Sequence, residues 1–201
     1  MAPELLFSTA AFEQPPAAVD ALDPAVVSPR EVSWLLEQGY RVCKEIAAGS
    51  NGTVFRAVAV ATGTPVALKM VPVAKLSSNE RMRLRREILT LKNVRHRGIV
   101  QFVEALESDS HVYIVTELMK EDLFERTTRR TLTEREAGDV AKQILQTLRF
   151  LHRRGVYHRD IKLENIMVAE SDDEKNACVK LVDFGGVHIS ARHLPTDEDV
   201  T

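Results

Sequence analysis

The sequence is short of several things, and each shortage removes a class of protein. It has two cysteines, Cys43 and Cys178, far apart and without CxxC spacing or a neighbouring histidine set, so neither a thiolate metal site nor a redox pair is expected. Charge of one sign is not in excess: 27 Lys and Arg stand against 29 Asp and Glu, a formal net charge of −2. No global field therefore draws nucleic acid or an anionic membrane. No run approaches the roughly 18 apolar residues that a membrane span needs. The N-terminus, MAPELLFSTAAFEQPP, lacks a basic leading region and soon meets acidic residues and prolines, so it does not read as a secretory signal. The expected location is cytosol or nucleus.

What is there suits a folded chain. The 201 residues suffice for one ordinary domain or two small lobes, and 44% hydrophobic with 28% charged residues is a globular balance. Residues 1–27 are rich in Ala and Pro, and Pro3, Pro15, Pro16 and Pro24 interrupt any periodicity, so a mobile tail is expected. Ser28, Pro29 and Glu31 predict a capped helix start and Gly39 its stop, which gives a leading helix over 28–39. From Tyr40 the short β-rich runs YRVCKEIA, TVFRAVAV and PVALKMV predict an antiparallel meander. SNERMRLRREILTLKNV reads as a helix with Ser78 as its cap, and GIVQFVEAL and HVYIVTEL as two more strands.

The second half opens with a short helical piece around EDLFERTT. A longer helix starts at Thr133, boxed with Glu136, and has Val140, Ile144, Leu148 and Leu151 along its apolar side. NIMVA and CVKLVDF are further strands around the acidic turn ESDDEKN. Strands, one helix, strands, then helices make an α+β order in two blocks, which argues against a dinucleotide-binding βαβ sheet. Arg81, Arg83, Arg85 and Arg86 form a basic run that reads as a solvated helix face, with an acidic partner as the other reading.

Three stretches carry chemistry. Between the first two strands lies IAAGSNGTV, where Gly49 and Gly52 allow backbone amides to close over phosphates; a plain hairpin turn is the other reading. The segment lacks a GK[ST] ending and a following helix, which excludes a P-loop. Lys69 sits in an apolar strand, and Glu87 lies on the same helix face as Leu84, Ile88 and Leu91. Packing that face draws a carboxylate inward, where it needs a cation, and Lys69 is the natural one. YHRDIKLEN then brings together Asp160, able to take a proton from an attacking hydroxyl, Lys162, able to sit against a transferred phosphoryl group, and Asn165, able to offer a carbonyl oxygen to magnesium. Asp183 of DFG offers a further magnesium ligand, and Phe184 a side chain to pack beneath the helix of Glu87.

In order, GSNGTV, VALK, the helical Glu87, HRGIV, YIVTEL, HRDIKLEN and DFG resemble the eukaryotic-type protein kinase signature set over about residues 40–190, and Lys162 two residues after Asp160 is similar to the serine/threonine class. The resemblance implies a two-lobed α+β fold, with a complete small antiparallel-β lobe over 40–119 and a partial, mainly helical large lobe over 120–201. It implies ATP and Mg2+ as cofactors and a protein serine or threonine hydroxyl as acceptor. Ile46, Val54, Ala67 and Met167 would sandwich the adenine; Glu117 and Met119 would give backbone contacts; and Thr116 would be the gatekeeper. Lys69 would hold the α and β phosphates, Asn165 and Asp183 the magnesium, and Asp160 would be the catalytic aspartate. Phe102, Leu91, Phe184 and His158 would stack as the spine between the lobes.

The sequence also departs from the family. Ala47 replaces the leading glycine and Asn51 the aromatic at the loop tip, so weaker phosphate cover is expected. MKEDLF is one residue short of the common hinge-to-helix segment. After DFG only GVHISARHLPTDEDVT follows, without an APE motif or the later large-lobe helices. Exposed apolar area on the Thr133 helix, marginal stability and a partner protein over that surface are the corresponding expectations. Thr196 and Thr201, in the stub after DFG, read as phosphorylation sites near Arg159 or as plain linker residues. Two functional readings stay open: an ATP-dependent kinase, and a non-catalytic module that binds nucleotide or a partner.

Overall fold

The computed structural model describes residues 26–49, 52–74, 76–169 and 178–190. The expectations for the tail before Val26, the loop tip Ser50 and Asn51, the acidic turn and the two threonines near the C-terminus lie outside these residues. Helix α1 (Pro29–Glu37) begins as its sequence predicts: Ser28 Oγ accepts from Glu31 N, while Glu31 accepts from the Ser28 amide at 3.0 Å.

The small lobe is a five-stranded antiparallel sheet of β1 (Tyr40–Gly49), β2 (Gly52–Ala59), β3 (Pro65–Pro72), β4 (Phe102–Glu107) and β5 (His111–Glu117), in the order β1-β2-β3-β5-β4. The period of two along β3 sends Val66, Leu68 and Met70 to one face and Ala67 and Lys69 to the other. The outer face, with Phe55, Ala57, Leu68, Tyr113 and Val115, is roofed by Val27 and by Leu35 of α1, and Trp34 stacks on Tyr113 at 5.5 Å. The inner face, with Val71, Val112 and Ile114, packs with Leu84 and Leu91 of α2 (Ser78–Asn93).

The cap of α2 is Ser77 and not Ser78. A capping box needs its acidic residue three places after the cap, and Glu80 stands in that register with Ser77, whereas Ser78 would face Arg81. The strand expected from Gly98 onward begins only at Phe102, because the residues before it bond to the other lobe: Val100 N donates to Leu181 O at 3.0 Å and Leu181 N to Gly98 O at 2.8 Å. Gly98 permits this approach, since a Cβ there would intrude on Thr147 Oγ1.

The second lobe comprises β6 (Glu121–Asp122), α3 (Leu123–Arg129), α4 (Glu134–Arg153), β7 (Val156–Tyr157), β8 (Ile166–Val168), β9 (Val179–Leu181) and β10 (His188–Ile189), with short 3-10 turns over Leu163–Asn165 and Phe184–Gly186. β6, β8 and β9 form one sheet; β7 and β10 form a two-stranded ribbon. Helix α4 has the Thr133–Glu136 capping box that its sequence predicts. On its apolar side Ile144 and Leu151 are buried, while Val140 and Leu148 pack on the same core. The exposed leucine is Leu145, at 67%. The expected bare apolar surface is thus centred on Leu145 rather than on those four, because they are covered by the core that includes Val168 and Val179. Among the described residues no helix is long and apolar enough to cross a membrane.

Candidate active site

Lys69 reaches the inner face of the sheet through the alternation of β3, with Val54 and Ile114 as its cross-strand neighbours. Glu87 rides the buried side of α2 and is 5% exposed. Lys69 Nζ donates to Glu87 Oε1 at 2.7 Å and to Asp183 Oδ1 at 3.3 Å, so one cation ties β3, α2 and the turn after β9 together. Burial opposes the charge on Lys69, but the carboxylates of Glu87 and Asp183 outweigh it and hold the ammonium above its ordinary value. Burial pushes the Glu87 carboxyl up, against the pull of Lys69.

The loop between β7 and β8 gathers the other expected groups. Asn165 is buried, and its Nδ2 donates to Asp160 Oδ2 at 2.8 Å and to the Asp160 carbonyl at 2.9 Å. Lys162 Nζ stands 3.0 Å from Asp160 Oδ2. The backbone turns sharply on both sides of the site, with Arg159 at φ +66° and Asp183 at +55°, both in the left-handed region that non-glycine residues seldom adopt. Val182 links the two turns: its amide donates to Asn165 O at 3.1 Å and its carbonyl accepts from His158 Nε2 at 2.9 Å. That bond makes Nε2 the protonated nitrogen of a neutral ring, and burial lowers the His158 pKa. The His158 and Phe184 rings are 4.8 Å apart, and fully buried Phe184 shares one core with Leu91 and Phe102. The expected spine residues are therefore brought together.

The glycine hairpin closes with Gly49 opposite Gly52 and Ala47 opposite Val54. Gly52 has φ +119°, and a Cβ on it would fall inside the Met70 carbonyl oxygen, so no other residue fits. Val54 and Ala67 are half-buried and Ile46 is exposed on the sheet, while half-buried Met167 comes from β8. Thr116 pairs with Ala67 across β3 and β5. Met119 is buried in the core, which leaves its backbone rather than its side chain for a ligand.

Sequence reasoning missed what holds Glu117. Lys180 Nζ lies 2.6 and 2.8 Å from its two carboxylate oxygens, and the Gln101 amide donates to Oε1 at 2.7 Å. Partners 63 residues apart leave no local signal in the chain.

Among the described residues no group of three or more His, Cys, Asp or Glu would hold a metal unaided. The donor set suits magnesium nonetheless. Asp183 supplies carboxylate oxygens, and Asn165, whose nitrogen is committed to Asp160, keeps its carbonyl oxygen; a magnesium ion completes such a pair with water and phosphate oxygens.

Residues 40–201 match the family model described as protein kinase domain. The chain is 36% identical over 157 residues to the human serine/threonine-protein kinase DCLK2, covering 77% of this chain and 20% of that protein. It is 33% identical over 157 residues to CBL-interacting protein kinase 28 of Oryza sativa subsp. japonica, covering 77% and 35%. It is 34% identical over 157 residues to serine/threonine-protein kinase dkf-2 of Caenorhabditis briggsae, covering 76% and 13%. The chain spans at most 38% of the length of the first curated relatives it matches.

Proposed function

The chain belongs to the eukaryotic-type protein kinase domain family, and from that premise we propose that it transfers the γ-phosphoryl group of ATP to a serine or threonine hydroxyl of a protein. The observation that carries this reading is the position of Lys69 between Glu87 and Asp183, with Asp160, Lys162 and Asn165 joined in a second cluster. In it Lys69, oriented by Glu87, binds the α and β phosphates. Asp160 accepts the proton of the attacking hydroxyl as its oxygen bonds to the γ phosphorus and the bond to the departing ADP oxygen breaks. Lys162, beside Asp160, offsets the charge on the transferred group. Asn165 and Asp183 would hold magnesium, which when bound neutralises phosphate charge. Ile46, Val54, Ala67 and Met167 would enclose the adenine between the lobes, with the Glu117 and Met119 backbone at its edge. Lys162, together with the names of two of the relatives, supports the serine/threonine class.

The test is phosphate transfer from radiolabelled ATP to a generic basic protein, with melting of the 201-residue chain measured with and without Mg·ATP. Stabilisation by Mg·ATP together with transfer that Asp160→Asn abolishes supports the reading. Stabilisation without transfer overturns catalysis and leaves a nucleotide-binding module; transfer that survives Asp160→Asn removes Asp160 from its role.

A further inference from the structure

We propose that the flank of the second lobe carries a docking cleft for an acidic, leucine-bearing peptide segment of a partner protein. A cavity of about 490 Å³ lies between α3, α4 and the β8-β9 edge. Its size lies within the range that accommodates a ligand or a few peptide side chains. It is separate from the candidate active site: Val168 contributes to its wall, whereas Met167, the preceding residue of β8, points to the opposite face. This inference does not depend on the chain's transferring phosphate.

Leu123, Leu132, Val140 and Val179 make the lining apolar, and four of the described side chains around it are cationic against two anionic. Several of these charges are already balanced. Arg126 pairs with Glu121 at 3.2 Å, and Glu136 accepts two bonds from Arg130 at 2.7 and 3.0 Å. Among the described residues Arg97, Arg135 and Lys142 remain, all exposed, against Asp139. Arg97 donates to the neutral Gln146 amide at 2.8 Å, a contact that orients its guanidinium without cancelling its charge. Three exposed cations above an apolar floor complement carboxylates alternating with an apolar side chain. A basic peptide would meet repulsion at the rim, and a wholly polar one would leave the floor wet.

The experiment is fluorescence anisotropy of a short labelled peptide of glutamates and leucines, titrated with the full chain, beside a counterpart with lysine for glutamate. The acidic peptide is expected to bind. Its affinity should fall by roughly tenfold or more in the triple variant Arg97→Glu, Arg135→Glu, Lys142→Glu and should weaken with salt. Saturating Mg·ATP should not displace it. Cys178, at the wall of the cleft, gives a second reading in protein whose rim is intact: in Cys43→Ser, the acidic peptide should slow alkylation of Cys178. Equal binding of the lysine peptide, no effect of the charge reversal, displacement by Mg·ATP or an unprotected Cys178 would each overturn the proposal. So would a sharp gain in peptide affinity on Asp172→Asn with Asp173→Asn, since the chain's own acidic run would then be the occupant. Preference for a single-stranded oligonucleotide over the peptide would overturn it as well.

Discussion

Lys180 of β9 holds both carboxylate oxygens of Glu117, the last residue of β5, and thereby fastens the strand that leads out of the small lobe to the sheet of the second lobe. The Gln101 amide shares one of those oxygens, and the Glu117 amide returns a bond to Gln101 O at 3.0 Å. The backbone proposed to meet adenine is therefore fixed from two sides.

Lys180→Met should weaken nucleotide binding severalfold and lower stability by about 1.5–3 kcal/mol, the range for a hydrogen bond to a charged group. Calorimetric titration with Mg·ATP and a melt check both. In a transfer assay the change should appear in KM for ATP more than in kcat, and unchanged nucleotide affinity would show that the clasp does not serve the site.

Lys69→Met should abolish phosphate transfer and leave Glu87 buried beside Asp183 without its cation. Stranding a buried carboxylate costs about 3 kcal/mol or more. Adding Glu87→Gln should recover part of the lost stability without restoring transfer. A double variant no more stable than the single one would show that the ion pair is not what holds α2 against β3.

His158 should make the fold sensitive to mild acid. Its folded-state pKa lies below the ordinary imidazole value near 6.5, so between those two values the unfolded chain binds the extra proton. Stability is therefore full above the ordinary value and is lost as pH falls toward the depressed one. Nδ1 is buried without a partner, which leaves an added proton unpaired. His158→Phe should melt lower at pH 7.5 but lose less of its Tm between pH 7.5 and 5.5. His96, whose pKa is also lowered by burial and by Arg97 and Arg154, would account for the slope that remains. An identical pH profile in the variant would remove His158 as a source.

Gly52→Ala should destabilise the chain by about 1–3 kcal/mol and cut nucleotide affinity. Both its positive φ and the Met70 carbonyl oppose a side chain, and the carbonyl cannot move without breaking the β2-β3 pairing. Gly49→Ala meets nothing within 4 Å and serves as the control. Equal behaviour of the two variants would count against the difference drawn between these glycines.

The parts legible in the sequence were those that depend on short spacing. Capping boxes at Ser28 and Thr133, the meander and the inward turn of Glu87 all follow from patterns within a few residues. The shift of the α2 cap to Ser77 shows how little separates adjacent serines until the register with Glu80 is counted. Long-range pairings were not legible. Nothing in the local pattern tells Lys180 from a solvated lysine, or shows that Gly98 and Val100 leave their expected strand to bond with Leu181. The ribbon of β7 and β10 was missed for the same reason, being two residues on each side and set by tertiary contact.

The roof over the outer face of the sheet has a practical meaning for where the folding unit begins. The match to the protein kinase family model starts at Tyr40, but among the described residues those packed on the face of Phe55, Leu68 and Tyr113 start at Val26. Glu31 fastens that roof, bonding to Ser110 and Tyr113 and pairing with His111. A protein trimmed to the region of similarity would keep every residue proposed for chemistry and yet lay bare a sticky apolar sheet. It would tend to self-associate, and it would then be judged inactive for a reason unrelated to its active site.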